Sequence, residues 1–427
     1  MQLNKLLTGL LLVLITNANA AFSQTAQPGK DTLSLSLQQV EKQFIDSNYL
    51  LLAAHYNVDA QKALIEQAKV WQNPTINTDF MIGADGKFLT YYKNADGSYA
   101  GQYYIQVQQL IQTARKRGKL IDLATTNSKL SELQLQDLLR NLKYQLHQDY
   151  YTAQYQLASL KINEDQLQQL NRLLKGMQAQ LNAGNIAQKD LVRIQALVIA
   201  LQQDITDLKK NIADTQNDLK TLLQIKNTTV FIKAADAATD QLPLPESLEA
   251  ITNSALQNNP YYLLQQTTTT FQQQNLIYQK ALKTPDITLG PNFDRNSNFA
   301  PNYFGLGISM PLPVFNKNKG NIKASELNVK QQQFVVQNAE TELRNNVSNA
   351  YQKLVLTIEQ NNNTQKDFYT KYRAIYNNMV QSYQSKQISL LEFLDFFNDY
   401  TASEQRLIQQ QLNLQLTNEE LKYHSGK

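Results

Sequence analysis

The chain has 427 residues, with 40 basic against 36 acidic side chains, no cysteine, one tryptophan and three histidines. This composition excludes disulfides and thiolate metal sites, and a net charge of +4 dispersed along the chain argues against a nucleic-acid surface. Abundant Gln and Asn suit long solvated helices better than a compact globule.

In chain order, residues 1–20 carry Lys5, an apolar run from Leu6 to Ile15 and Ala18-Asn19-Ala20. That is the pattern of a secretory signal peptide cut after Ala20. The run is about ten residues, half of what a spanning helix needs. The chain is therefore expected to be exported, and with no cysteine it carries no lipid acceptor. After a helical stretch, "PTINTDFMI" sets Ile76, Thr78, Phe80 and Ile82 against Thr75, Asn77, Asp79 and Met81. "QYYIQVQQLI" sets Tyr103, Ile105, Val107 and Ile111 against Gln102, Tyr104, Gln106, Gln108 and Leu110. The basic group Arg115, Lys116, Arg117 and Lys119 follows, where strand passes into helix, and is expected to anchor near lipid headgroups. A long helical seam then runs through Leu167, Leu170, Leu174, Met177 and Leu181. It stops at "LNAGNIAQKDL" (181–191) and resumes through Leu191, Ile194, Val198, Leu201, Ile205, Leu208, Ile212, Leu219 and Leu222. Apolar steps of three and four predict a coiled-coil hairpin, with Asn182 and Gly184 ending its first arm.

The second half repeats the first. Pro74 pairs with Pro285 and Asn48 with Asn259, both at an offset of 211 (285 − 74). Gly118 pairs with Gly320 and Gly184 with Lys386 at 202 (320 − 118), which predicts a helix of 66 residues in each half (184 − 118). At 1.5 Å per residue such a helix reaches about 100 Å. Two more strands belong to the copy. In "PDITLGPNF", Ile287, Leu289 and Phe293 oppose Asp286, Thr288, Gly290 and Asn292. In "FGLGISMPL", Phe304, Leu306, Ile308, Met310 and Leu312 oppose Gly305, Gly307, Ser309 and Pro311. The expected organisation is a signal peptide (1–20), a first repeat (21–228), a linker (229–245) and a second repeat (246–427).

Four strands with one apolar and one polar face match transmembrane β-strands, and Tyr91, Tyr92, Tyr99, Tyr103 and Tyr104 would form an aromatic belt at one end. Four strands cannot close a barrel, and an open edge in lipid is excluded. Two copies would make a plugged eight-stranded barrel and three a twelve-stranded one with an open lumen. The alternative is a soluble sheet with one wet face.

From about Leu33 to Tyr423 the chain resembles the TolC-like outer-membrane efflux proteins. The likeness rests on the duplicated helix–strand–strand–helix order, the tips "LNAGNIAQKDL" and "YQSKQISLLEFLD" (383–395), and "ISMPLPVFNKNKGNIKAS" (308–325). That last stretch is similar to the strand-to-helix corner of the heavy-metal, CzcC-like branch. The resemblance implies a mainly α fold with a transmembrane β part: a trimeric twelve-stranded barrel in the outer membrane, continued by a twelve-helix coiled-coil tunnel in the periplasm. It implies a passive exit duct for cargo, heavy-metal cations in this branch, delivered by an inner-membrane RND-type pump through a periplasmic adaptor. Asn182, Ala183, Gly184, Asn185 and Asp190 of the first tip, and Lys386, Gln387 and Ile388 of the second, would dock the adaptor. Glu392 and Asp395 stand where the family carries two gate acids, three residues apart on one helix face. Lys386 and Glu392 depart from the family's Gly and Asp. The alternatives are a duct for drugs or for type I protein secretion, and a non-pore periplasmic coiled-coil protein.

Catalytic signatures are missing from the sequence: no HExxH, nucleophile elbow or phosphate loop occurs. His55, His147 and His424 stand apart, so no metal site, cofactor or enzymatic activity is expected. Asp and Asn near Gly in 84–98 and 294–301 lack EF-hand spacing and predict turns between strands.

Overall fold

The structure, a computed structural model, describes residues 32–84, 87–88, 97, 101–227, 231–234, 242–297, 299–364 and 366–426. The expected leader, and Tyr91, Tyr92 and Tyr99 of the expected belt, lie outside the described residues. Packing divides the chain into two units, Met1–Phe44 with Asp149–Ala238 and Ile45–Gln148 with Thr239–Lys427.

The first half runs β1 (Thr32–Leu35), α1 (Leu37–Ser47), α2 (Tyr49–Lys69), β2 (Thr75–Phe80), the short pair β3 (Gly83–Ala84) and β4 (Lys87–Phe88), then β5 (Tyr103–Ile111), α3 (Lys116–Asn182), α4 (Gln188–Leu223) and β6 (Phe231–Ala234). The second runs α5 (Leu248–Asn258), α6 (Pro260–Ala281), β7 (Ile287–Asn296), β8 (Pro301–Ser309), α7 (Lys319–Asn362), α8 (Lys366–Gln384) and α9 (Leu390–Ser425).

Helix caps repeat at the offsets read in the sequence. Ser36 Oγ accepts from Gln39 N at 3.4 Å, and Ser247 Oγ from Ala250 N at 3.3 Å, 211 residues on. Asn48 caps α2 with φ −69° and ψ 116°, and Asn259 caps α6 with φ −68° and ψ 115°. Each amide oxygen takes up N–H groups that the first helical turn cannot satisfy internally. The return helices α4 and α9 both have 36 residues and end on left-handed residues 202 apart, Gln224 and Gly426.

The outgoing helices differ. α3 is continuous over 67 residues, but its counterpart stops at Asn362 and restarts at Lys366. The expectation of equal unbroken spans therefore fails in the second half. There the sequence is Asn361-Asn362-Asn363-Thr364, side chains that compete with the helical ladder for backbone hydrogen bonds. Asn363 N still reaches Glu359 O, whereas Thr364 N turns back to Asn361 O at 3.2 Å. The stretch expected as linker holds β6, which pairs in parallel with β1 from Thr32↔Phe231 to Leu35↔Ala234. Gln216 secures it, exchanging hydrogen bonds with Ile232 N and O at 2.8 and 2.7 Å.

In the first unit, Leu191, Ile194, Val198, Leu201 and Ile205 are buried, as the periodicity requires. On α3 the buried line is Asn163, Gln166, Leu170, Leu173 and Met177, while Leu167 and Leu174 are half-buried. A seam traced through apolar letters alone misses such polar positions. The second unit has its core where α7 contributes Ala339, Leu343, Val347, Ala350, Leu354 and Ile358, packed with Ile251, Ala255 and Tyr262 and with Leu414 and Leu421 of α9.

Candidate functional sites: the strand wall, its corner and the helical tips

β2, β5, β7 and β8 form one antiparallel sheet in that order. These are the four strands expected from their alternation, and their register aligns like with like. Thr78 opposes Ile105, Ile105 opposes Phe293 and Phe293 opposes Phe304; Leu289 opposes Ile308. This face is open to the surroundings: Phe304 is 76%, Leu306 66% and Ile308 70% exposed. Strands of six to ten residues carrying one such face need lipid or a partner to cover it. On the other face, Thr75, Asn77, Asp79, Gln106, Gln108, Asn292 and Ser309 keep polar groups together. Among the described residues, neither edge strand, β2 or β8, pairs with a further strand. No described helix is long and apolar enough to cross a membrane. Of the turn expected over 294–301, Asp294 and Asn296 lie inside β7 instead, and β8 begins at Pro301.

The basic group at the corner is tied inward rather than presented to headgroups. Lys116 is 4% exposed, and its Nζ bonds Asp286 Oδ1 at 2.7 Å and the Thr284 carbonyl. Arg117 donates to Lys69 O and lies 4.1 Å over the Trp71 ring, and Lys119 Nζ caps Ala114 O. Of the four, Arg115 alone is exposed, so the expectation of a headgroup anchor is corrected to a structural tie between β5 and β7. The reason is local: Ala114 and Arg115 take φ of 51° and 54°, and the strand-to-helix turn they make brings Lys116 inward. Burial works to raise the Asp286 carboxyl, but the Lys116 ammonium and the Thr113 N–H outweigh it and hold the pKa below the ordinary aspartate value.

The two tips have one backbone geometry. Gly184 N bonds Leu181 O at 2.9 Å and Asn185 N bonds Gln180 O at 2.9 Å; Lys386 N bonds Tyr383 O at 3.0 Å and Gln387 N bonds Ser382 O at 2.8 Å. Every atom pair recurs 202 residues on. This closure needs a left-handed residue, so Gly184 has φ 73° and Lys386 is held at 58° despite its Cβ. Asn182, Ala183, Gly184, Asn185, Lys386 and Gln387 are exposed, while Asp190 and Ile388 are half-buried. Asp190 lies in the first turn of α4, where it favours the helix dipole. Glu392 sits in the first turn of α9 within a capping box: Ser389 N donates to Glu392 Oε2 at 2.7 Å, and Glu392 N donates to Ser389 Oγ at 3.2 Å. The Ser389 N–H and hydroxyl hold its pKa below the ordinary value. Asp395, one turn on, is exposed.

Behind the second tip lies a cluster that the sequence reading missed. Tyr376 stacks on Tyr400 at 4.1 Å, and Tyr372 meets Phe396 and Tyr400 edge-on. Tyr383 stacks on Phe393. Beside them Glu404, 1% exposed, takes a two-pronged bond from Arg373, Nε at 2.9 Å and Nη2 at 2.7 Å. Aromatic residues at helical spacing on both arms were the available signal.

His147 is buried, its Nδ1 2.6 Å from Glu419 Oε2. Glu419 also bonds Lys422, and these two partners outweigh burial to lower its pKa. Glu420 points elsewhere, to Lys353 at 2.7 Å. His55 is exposed beside Asp59. Among the described residues, no group of three His, Cys, Asp or Glu could hold a metal ion.

The sequence profile of the outer membrane efflux proteins matches residues 41–223 and 251–427. The chain belongs to that family. Its solved neighbours are channels, not enzymes. Over 276 residues it is 20% identical to the cobalt-zinc-cadmium resistance protein CzcC of Cupriavidus metallidurans, covering 65% of this chain and 62% of that one. The chain thus matches less than two thirds of that relative's length. The fold is that of solved outer-membrane channels. CusC aligns with a TM-score of 0.71 at 18% identity, covering 91% of this chain and 92% of that one. The CmeC channel of Campylobacter jejuni aligns at 0.74 and 13%, covering 91% and 85%.

Proposed function

We propose that the chain is the outer-membrane subunit of a tripartite efflux system, a passive exit duct for heavy-metal cations. The carrying observation is the four-stranded sheet, apolar on one face, polar on the other and open at both edges. Four antiparallel strands per chain let β8 of one copy meet β2 of the next antiparallel, so identical copies can close without a defect. Three copies make a twelve-stranded barrel with a water-filled lumen. An inner-membrane RND-type pump selects the cargo and a periplasmic adaptor passes it on. The leader directs export. The two sequence repeats, 21–228 and 246–427, each supply half of the wall.

In this reading the adaptor docks on the two exposed turns around Gly184 and Lys386, with Asn182, Ala183, Asn185, Asp190, Gln387 and Ile388. Glu392 and Asp395 form the gate, six carboxylates in three copies, opened when the adaptor favours the dilated state. Fractionation tests the placement: the duct is found in the outer membrane with heat-modifiable mobility as a trimer, and a periplasmic monomer refutes it. Deletion is expected to sensitise cells to metals such as Co, Zn, Cd, Ni, Cu or Ag. Unchanged metal tolerance with new drug sensitivity, or with loss of a secreted protein, transfers the assignment to another branch.

A further inference from the structure

One cross-strand row of the sheet has a chemistry unlike the others. Asp79 of β2 opposes Tyr104 of β5, Tyr104 opposes Asp294 of β7, and Asp294 opposes Tyr303 of β8. All four lie on the polar face, at the end of the sheet away from the helices. Among the described strand residues, Asp79 and Asp294 are the only charged side chains on that face. The row is also built. Gln102 Nε2 donates to both Asp294 oxygens at 3.3 and 3.1 Å, and Asn292 Nδ2 donates to the Tyr104 hydroxyl at 3.3 Å. Gly305 leaves these groups room: a Cβ there would lie 2.5 Å from Asn292 Oδ1 and 2.7 Å from the Tyr303 hydroxyl, so both side chains would have to shift. Asn292 Oδ1 is shielded from solvent and has no hydrogen-bond partner in the structure. It is an acceptor in want of a donor.

We infer that Asp79, Tyr104, Asp294 and Tyr303 form a carboxylate–phenol girdle inside the barrel that passes hydrated cations in preference to anions. The inference rests on the duct reading above. Joined β8 to β2, three copies repeat the order Asp-Tyr-Asp-Tyr around the wall, giving six carboxylates and six phenols. Twelve strands about 4.8 Å apart, tilted by roughly 40°, set a backbone diameter of about 24 Å. Inward tyrosines narrow that to an opening on the order of 10 Å, so its centre lies within the Debye length of about 10 Å at 0.1 M salt. A cation's hydration waters donate hydrogen bonds outward, and carboxylates, phenol oxygens and the Asn292 carbonyl accept them. An anion's hydration shell presents the opposite polarity and meets repulsion.

The test uses the full-length protein in planar bilayers under a KCl gradient at 0.1 M, with D79N/D294N made in both the wild type and the E392Q/D395N tip variant. The double substitution is close to isosteric, and heat-modifiable trimer mobility verifies assembly. The cation-over-anion permeability ratio should fall about tenfold, the lower end of what focused charge does to local ion concentration. The difference should collapse at 1 M salt, where the Debye length is about 3 Å. D79N and D294N singly should each give an intermediate ratio. An assembled, conducting double variant with an unchanged ratio overturns the girdle and leaves the duct standing. No conductance in either background overturns the duct and the girdle with it.

Discussion

The buried pair behind the second tip allows a quantitative prediction. Glu404 is 1% exposed and holds Arg373 by two bonds, while the Arg373 side chain is 52% exposed. The two partners are therefore unequal. Arg373→Met strands a carboxylate inside the α8–α9 hairpin, a defect that typically costs about 3–5 kcal/mol. Glu404→Gln keeps an acceptor for the guanidinium and removes only the charge, so it costs about 1–2 kcal/mol. The double variant R373M/E404L buries no charge and is close to neutral. Native-state hydrogen exchange of α8 and α9, taken relative to the wild type, reads these values as local opening. Arg373→Met should accelerate exchange by roughly 100-fold or more, since about 1.4 kcal/mol is tenfold in an equilibrium. An Arg373→Met deficit no larger than that of the double variant refutes the assignment of Glu404 to Arg373.

Three further outcomes are expected. Lys386→Gly relieves a left-handed residue and stabilises the second tip by about 1 kcal/mol, whereas Gly184→Ala destabilises the first by a similar amount; protease cleavage at each turn measures both. Lys116→Met takes the ammonium from Asp286, which keeps its bond from Thr113 N, and costs about 1.5–3 kcal/mol, seen as a lower temperature for loss of folded-trimer mobility. Because the Asp286 pKa is depressed, its contribution is present above the unfolded value and is lost as pH falls through the folded one, so wild type and variant converge in acid. Asp149 is raised to about 6 by burial and then by the Asp218 charge, and its Oδ2 has no hydrogen-bond partner. Its folded form holds the proton more tightly, so stability falls as pH rises from about 4 to about 6. Asp149→Asn removes that penalty and stabilises the protein above pH 6 by about 1–2 kcal/mol after allowance for solvent screening, measured by exchange of α3 amides.

What the sequence determined by itself is what neighbouring residues decide among themselves. The four strands follow from period-2 alternation, which a pleated backbone imposes directly. The hairpins and their tips follow from period 3.6 and from Asn182 and Gly184, and the duplication is legible because caps such as Asn48 and Asn259 act on the next few amides only. The same locality explains the misses. Lys116 looked like a free cation because its partner Asp286 is 170 residues away. Glu404 has its partner Arg373 on the other arm of the hairpin, 31 residues away. Gln166 and Asn163 fill seam positions that apolar letters do not mark. The row of Asp79, Tyr104, Asp294 and Tyr303 depends on strand register, and a slip of one residue would turn its side chains to the other face. Burial and pairing between distant segments belong to the tertiary structure alone, because desolvation and partner geometry arise only once the segments meet.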